Sequence, residues 1–191
     1  MALTPTLPNP LGLTVYCSSS KHVPSVYVEE SETLGRLIAE RGHTLVYGGG
    51  NIGLMGSVAR AALAANGKVT GVILKEFLDK GYAQAGHEMH VVDDMRARKQ
   101  GLEVLGDAYL VLPGGFGTFE EVTEVLSFKQ LGFHTKPIVF VNTNHFFDPL
   151  IEQFERAFAE AFIEERFRDL YSVTDTPQAA LNLIEAVKPS E

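Results

Sequence analysis

The strongest constraint on the fold is a set of short runs that contain almost no polar residue. They are Leu13–Cys17, Thr44–Tyr47, Val69–Leu74, Ala108–Leu112 and Ile138–Val141. A strand with one wet face alternates apolar and polar residues. A strand that is apolar throughout must be covered on both faces, as in a parallel sheet flanked by helices. Amphipathic stretches separate these runs. Ser25–Arg41 places Val28, Leu34, Leu37 and Ile38 on one side, Leu54–Asn66 is rich in alanine, and Met95–Leu105 and Phe119–Leu131 follow the same helical period. Strand followed by helix implies right-handed crossovers and a doubly wound sheet. The expected fold is therefore α/β and Rossmann-like, with a mostly parallel sheet and helices on both faces.

Weaker signals fill the rest of the chain. His90–Val92 reads as a short fourth strand, Tyr171–Val173 as an edge strand and Thr176–Val187 as a closing helix. Asp148 and Pro149 look like the cap and first residue of a helix whose apolar stripe is Ile151, Phe154, Phe158 and Phe162. The stretch 75–89 has no clear pattern. It is long for a strand-to-helix connection, so it is either a functional loop or contains a small helix.

There is no internal repeat, low-complexity tract or linker, and 191 residues suit one domain. A domain of this size buries roughly 70% of the surface of its unfolded chain, enough for a core without disulfides or metals. Residues 1–10, with Pro5, Pro8 and Pro10, read as a flexible N-terminal tail, and 11–191 as a single domain. The tail has neither the basic start nor the apolar run of a secretory signal. No later run approaches the ~20 apolar residues of a membrane span. Cys17 is the sole cysteine, which rules out an intrachain disulfide and suits a reducing, cytoplasmic setting. A net charge of −8 argues against broad nucleic-acid binding, which needs a basic face. A small anion could still bind at a local positive site, and Arg96, Arg98 and Lys99 form the densest basic cluster.

Three strand ends carry small residues. The first strand runs into Cys17-Ser18-Ser19-Ser20, the second into Gly48-Gly49-Gly50-Asn51-Ile52-Gly53-Leu54-Met55-Gly56, and the fifth into Pro113-Gly114-Gly115-Phe116-Gly117-Thr118. In open α/β sheets ligands bind beyond the carboxyl ends of the strands. Glycine there lets backbone N–H groups approach an anion, and a helix start adds unpaired donors and partial positive charge. One such turn is equally well read as a simple strand-to-helix reversal, whereas three at one sheet edge point to a phosphate site. The second turn also fits G-x-G-x-x-G through Gly48, Gly50 and Gly53, with Glu76 near the place of a ribose-binding acid. A dinucleotide oxidoreductase is one alternative on that basis, although this turn follows the second strand rather than the first.

Residues 113–121 fit P-G-G-x-G-T-x-x-E. With this motif the chain resembles the Lonely Guy family, the cytokinin-activating phosphoribohydrolases, many of which have been labelled lysine decarboxylases. The likeness extends from Leu13 to Val187. Met95-Arg96-Ala97-Arg98-Lys99 resembles the family's M-H-E-R-K, and Leu131-Gly132-Phe133-His134-Thr135-Lys136-Pro137 its L-G-x-H-x-K-P. Arg96 and Ala97 depart from the usual His and Glu, and Ser18 stands where Gly is common.

The resemblance implies hydrolysis of the base–sugar bond of a purine nucleoside 5′-monophosphate, AMP or an N6-substituted AMP, as in an AMP nucleosidase. Such hydrolysis passes through an oxocarbenium-like sugar. The implied catalytic pair is Glu121, binding the ribose or activating water, and Arg98, holding the ribose or assisting the departing base. Gly115, Gly117 and Thr118 would cradle the 5′-phosphate, and Ser19, Gly50, Met95, Lys99 and Gly114 complete the implied substrate-binding set. No cofactor or metal is required, and a homodimer is implied.

Other readings stand beside these. Thr118-x-x-Glu121 is also a capping box. Arg98 and Lys99 could be a solvated helix face, and Glu120 a solvated first-turn acid. Cys17 is better read as a small core residue than as a nucleophile. His87 and His90 lack further metal ligands and read as loop histidines. The phenylalanine stripe reads as core or subunit interface. No lysine stands out as a pyridoxal phosphate carrier. A non-catalytic nucleotide or cofactor carrier is the alternative to an enzyme, since fold alone cannot decide between them.

Overall fold

A computed structural model of the protein describes residues 10–187. The N-terminal tail expected over residues 1–10 lies, apart from Pro10, outside the described residues. Seven strands form one sheet: β1 (Gly12–Tyr16), β2 (Thr44–Tyr47), β3 (Lys68–Leu74), β4 (Glu88–Val92), β5 (Ala108–Val111), β6 (Ile138–Val141) and β7 (Ser172–Thr174). Their order is β4-β3-β2-β1-β5-β6-β7, and every pairing is parallel. The apolar runs occupy the middle of this sheet and are buried on both faces, as their composition requires.

The helices are α1 (Ser25–Glu40), α2 (Gly53–Ala64), α3 (Lys75–Asp79), α4 (Met95–Leu105), α5 (Phe116–Gln130), α6 (Asp148–Ala159) and α7 (Pro177–Glu185). One core layer packs α1, α2 and α7 against Leu13, Val15, Leu45, Tyr47 and Val139. The other packs α4, α5 and α6 against Tyr16, Val46, Val72, Tyr109 and Phe140. The chain winds outward from β1 to β4, returns through α4, and restarts at β5 on the other side of β1. The carboxyl ends of β1 and β5 therefore mark the switch point where a ligand crevice opens.

The stretch 75–89 holds the small helix α3, one of the two alternatives its length allowed, followed by a loop that pairs Ala83 with Gly50. Two local expectations are corrected. Asp148 is the first residue of α6 rather than its cap, and its carboxylate accepts from the Asn142 amide at 2.7 Å. The stripe does not reach Phe162. The helix ends at Ala159, Ala161 takes a φ of 60°, and Phe162 is exposed.

Candidate active site

At the carboxyl end of β5 the backbone turns into α5 three residues earlier than the sequence pattern suggests. Gly115 is the cap, extended at φ −103° and ψ −152°, with no side-chain capping bond. The first helical bond is from Phe119 N–H to the Gly115 carbonyl at 3.0 Å. Among the described residues no acceptor takes the N–H groups of Gly115, Phe116, Gly117 or Thr118. They start a helix of 15 residues, so donors and dipole converge on one point at the sheet edge. A methyl group at Gly115 or Gly117 would meet nothing within 4 Å, so the approach is open. Gly114 has a different role: a Cβ there would lie 2.1 Å from Thr118 Oγ1, and its absence lets Thr118 tuck under the turn. A cavity of about 270 Å³ adjoins this turn, with Ser18, His22, Tyr27, Gly114, Gly115 and Phe146 among its walls.

The second glycine turn has several of its donors already taken. Leu54 and Met55, at the start of α2, both donate to the Ser18 carbonyl, at 2.9 and 3.3 Å. Asn51 N–H donates to Tyr82 O, and Gly49 O accepts from Gln84 N–H. The G-x-G-x-x-G turn is thus packed against its neighbours, and the dinucleotide reading loses its pyrophosphate anchor. Its glycines have other reasons to be there. Gly53 has a φ of 58°, and Gly48 leaves room for a guanidinium, since a Cβ there would stand 2.0 Å from Arg98 Nη2.

That guanidinium comes from α4 and lies across the ends of β2 and β3. Arg98 is 7% exposed. Its Nε donates to Val72 O at 3.2 Å, its Nη2 to Gly48 O at 3.2 Å and its Nη1 to Glu121 Oε1 at 3.1 Å. Five N–H groups minus these three bonds leaves two, one on each terminal nitrogen, for a ligand. Glu121 is the sixth residue of α5, past the position a capping glutamate occupies, and it bonds no backbone N–H of the helix start. The capping-box reading is therefore overturned: the helix begins at Phe116, which moves Thr118 and Glu121 inside it. Burial pushes the Glu121 carboxyl above its ordinary value, and Arg98 opposes the shift. The pair is nearly enclosed, with side chains 9% and 12% exposed. Arg98 is accordingly not part of a solvated face.

The remaining residues read from the sequence fall as follows. Lys99 bonds Glu120 at 2.5 Å and Glu124 at 3.0 Å, which holds its ammonium above the usual range. Glu120 is thus an ion-pair partner rather than a free surface acid. Met95 opens α4, partly exposed, where the Asp94 side chain caps the N–H groups of Arg96 and Ala97. Ser19 is exposed on the β1–α1 loop, and Gly50 is buried in its bridge to Ala83. Cys17 is buried, and burial raises its thiol pKa, so it is not a nucleophile. His87 Nδ1 donates to Glu88 O, leaving Nε2 to accept from the Tyr47 hydroxyl. Sequence reasoning missed two structural roles. It read Gly48 for a phosphate instead of for Arg98, and it gave His134 and Lys136 no role.

A doubly wound parallel sheet, with an anion-ready helix start beside a buried arginine–carboxylate pair, defines a Rossmann-like protein with an α/β ligand site at its switch point. The chain belongs to the Lonely Guy family. Residues 55–184 match the family model described as "Possible lysine decarboxylase". A Rhodococcoides fascians cytokinin riboside 5′-monophosphate phosphoribohydrolase is 40% identical, over 94% of this chain and 91% of the relative. The Oryza sativa enzyme of that name is 36% identical, over 93% and 74%. Among solved structures, a molybdenum cofactor binding protein from Rippkaea orientalis has a TM-score of 0.72 at 20% identity, covering 94% of this chain and 98% of that one. The carrier protein for the same cofactor from Chlamydomonas reinhardtii also scores 0.72, at 21% identity over the same shares. At those identities the likeness is one of fold.

Proposed function

We propose that the protein hydrolyses the N-glycosidic bond of a purine nucleoside 5′-monophosphate, giving free base and ribose 5-phosphate. The observation that carries this reading is the Arg98–Glu121 pair, buried about one and a half helical turns behind an open phosphate-binding turn. The 5′-phosphate accepts from the free N–H groups of residues 115–118. The ribose then lies over the start of α5, with its anomeric carbon facing Glu121. The Glu121 carboxylate stabilises the positive charge that grows on the sugar and takes a proton from the attacking water. Arg98, already fixed by two carbonyls, holds that carboxylate in place and offers its remaining N–H groups to the sugar or the departing base. Binding energy from the remote phosphate orients the reacting bond.

A cofactor carrier would use the open turn but has no need of a buried Arg–carboxylate pair. A lysine decarboxylase would need a lysine able to lose its proton, whereas Lys99, the lysine nearest this pair in sequence, is held protonated by two carboxylates. The deciding experiment is incubation with AMP and with isopentenyladenosine monophosphate, followed by chromatography for free base. Base should be released from the monophosphates with a kcat/KM at least about 100-fold above that for adenosine, because the nucleoside lacks the orienting phosphate. Release from neither monophosphate at high enzyme would favour the carrier reading.

The assembly that fits this site is a homodimer. Tyr82, Val91, Met95 and Phe116 are exposed apolar side chains at or beyond the carboxyl ends of the strands, Phe116 at 94%. A second copy would cover them and close the ribose side of the site. Light scattering at micromolar concentration should give twice the 20.9 kDa chain mass, and a monomer at that concentration would oppose the assignment. Among the described residues no helix is long and apolar enough to cross a membrane.

A further inference from the structure

The segment after α5 makes contacts that the mechanism above does not use. His134 Nε2 donates to Val125 O at 2.9 Å, and its Nδ1 accepts from the Lys136 backbone N–H at 3.2 Å. Val125 is one helical turn beyond Glu121 on α5, on the same face. Lys136 Nζ donates to Glu103 O at 2.6 Å, in the last turn of α4, the helix that carries Arg98. Both side chains lie against the ring of Tyr109 on β5, with the imidazole centroid at 5.5 Å and the ammonium at 5.8 Å. Two residues of one short segment therefore grip the backbone of both helices that supply the pair, over the strand that leads into the phosphate turn.

We infer that His134 and Lys136 are positioning residues that set the register of α4 against α5, and through it the geometry of Arg98 and Glu121. Each contact is to a backbone carbonyl, so it resists sliding of the whole helix rather than the swing of one side chain. Arg98 has little slack, because its three bonds run to three different elements. A slip of one helix lengthens the Nη1–Oε1 bond, and a misplacement of about 1 Å at a reacting centre can cost 10²-fold in rate. The phosphate turn is anchored separately, by β5 on one side and by the fit of Thr118 under Gly114 on the other, so a change of register is taken up between α4 and the later turns of α5 and binding should be affected less than turnover.

The part of this inference that concerns rate rests on the hydrolase reading, so its test has an arm that does not. Lys136→Met keeps the stem over Tyr109 and removes the donor. His134→Phe keeps the ring and removes both bonds. His134→Gln can still donate to Val125 O and accept from Lys136 N–H, and serves as the conservative rescue. In the free protein, the Arg98 Nε–H resonance, assigned by its loss in Arg98→Lys, should be sharp and slow to exchange. It should broaden or move in Lys136→Met and His134→Phe and return in His134→Gln. With AMP, the first two variants should lose about tenfold or more in kcat with KM within about twofold, and His134→Gln should recover most of the rate. Lys129→Met is the control. It frees α5 from Leu170 O without touching α4, and should leave both readouts unchanged. An unchanged Arg98 signal and unchanged kcat in the two apolar variants, with only a lower Tm, would overturn the inference. If one apolar variant does not fold the other carries the test, and if both fail, loss of the signal in Lys136→Gln must replace them or the inference falls. A wild-type protein that cleaves no nucleotide would sink the hydrolase reading, while the resonance would still decide the positioning role.

Discussion

Glu121→Gln should fold as well as the native chain, bind AMP within a few-fold of it, and lose at least about 100-fold in kcat, the low end for removal of a general acid–base group. The amide keeps the shape of the side chain and an oxygen that accepts from Arg98 Nη1. What it lacks is negative charge for the oxocarbenium ion and a site for the proton of water. Because Glu121 caps nothing, this loss cannot be ascribed to a frayed helix start. Glu120→Gln alters a residue tied to Lys99 one position away and should stay active. Near-native activity in Glu121→Gln would refute the mechanism.

The pH dependence has a definite sign. Burial raises the folded-state pKa of Glu121 above its ordinary value of 4.5, so between that value and the folded one the native chain binds more protons than the unfolded chain. Stability therefore falls as pH rises through this window, and above it Glu121→Gln should be as stable as the native chain or more so. The proposed mechanism needs the ionised form. The acid limb of kcat/KM against pH should accordingly lie above 4.5 and be absent from the residual activity of Glu121→Gln.

The strands were legible in the sequence because a parallel strand covered on both faces has no polar side to disguise it, and β5 and β6 show this best. β4 was harder. It is an edge strand with three of its five residues exposed, so only its last three residues stood out of Glu88–Val92. The start of α5 was misplaced for a related reason. Gly115, Phe116 and Gly117 look like loop by propensity, and Thr118 looks like a cap. Here the turn is fixed by the fit of Thr118 against Gly114, and Gly117 is taken into the helix. The end of α6 had no signal at all, because a left-handed alanine, not a glycine, stops it. The site shows the same division. Local spacing pointed to the glycine turn proposed to hold the phosphate, and resemblance to Glu121 and Arg98. No pattern in the chain could show that Arg98 lies on the carbonyl of Gly48, 50 residues away, since only the fold brings them together.

Arg98→Met should be the most disruptive single change at the site. Methionine fills much of the space of the arginine stem but has no donors. It leaves Glu121 buried without its counter-charge and the carbonyls of Gly48 and Val72 without their side-chain donor. Removing one partner of a buried ion pair costs about 3–5 kcal/mol. The cost should depend on pH. With Arg98 gone, the two influences that lower the Glu121 pKa most are lost, desolvation and the charge of Glu120 are opposed only by Lys99, and the pKa rises further. Toward low pH the carboxyl is neutral and little of the penalty remains. Toward high pH the burial of an unpaired carboxylate is opposed in full, so stability falls as pH rises through the raised value. Urea unfolding at pH 5 and at pH 8 should show the larger loss at pH 8. Adding Glu121→Gln to Arg98→Met should restore more of the stability at pH 8 than at pH 5, since the second substitution removes a charge that is more populated at the higher value. Turnover should fall at least about 100-fold in Arg98→Met, because Glu121 loses the group that fixes its carboxylate in place and, below its raised pKa, can neither take a proton nor offset positive charge. A loss of stability equal at both pH values would mean that the two side chains are not electrostatically coupled, and that the guanidinium serves the fold through its carbonyl bonds alone.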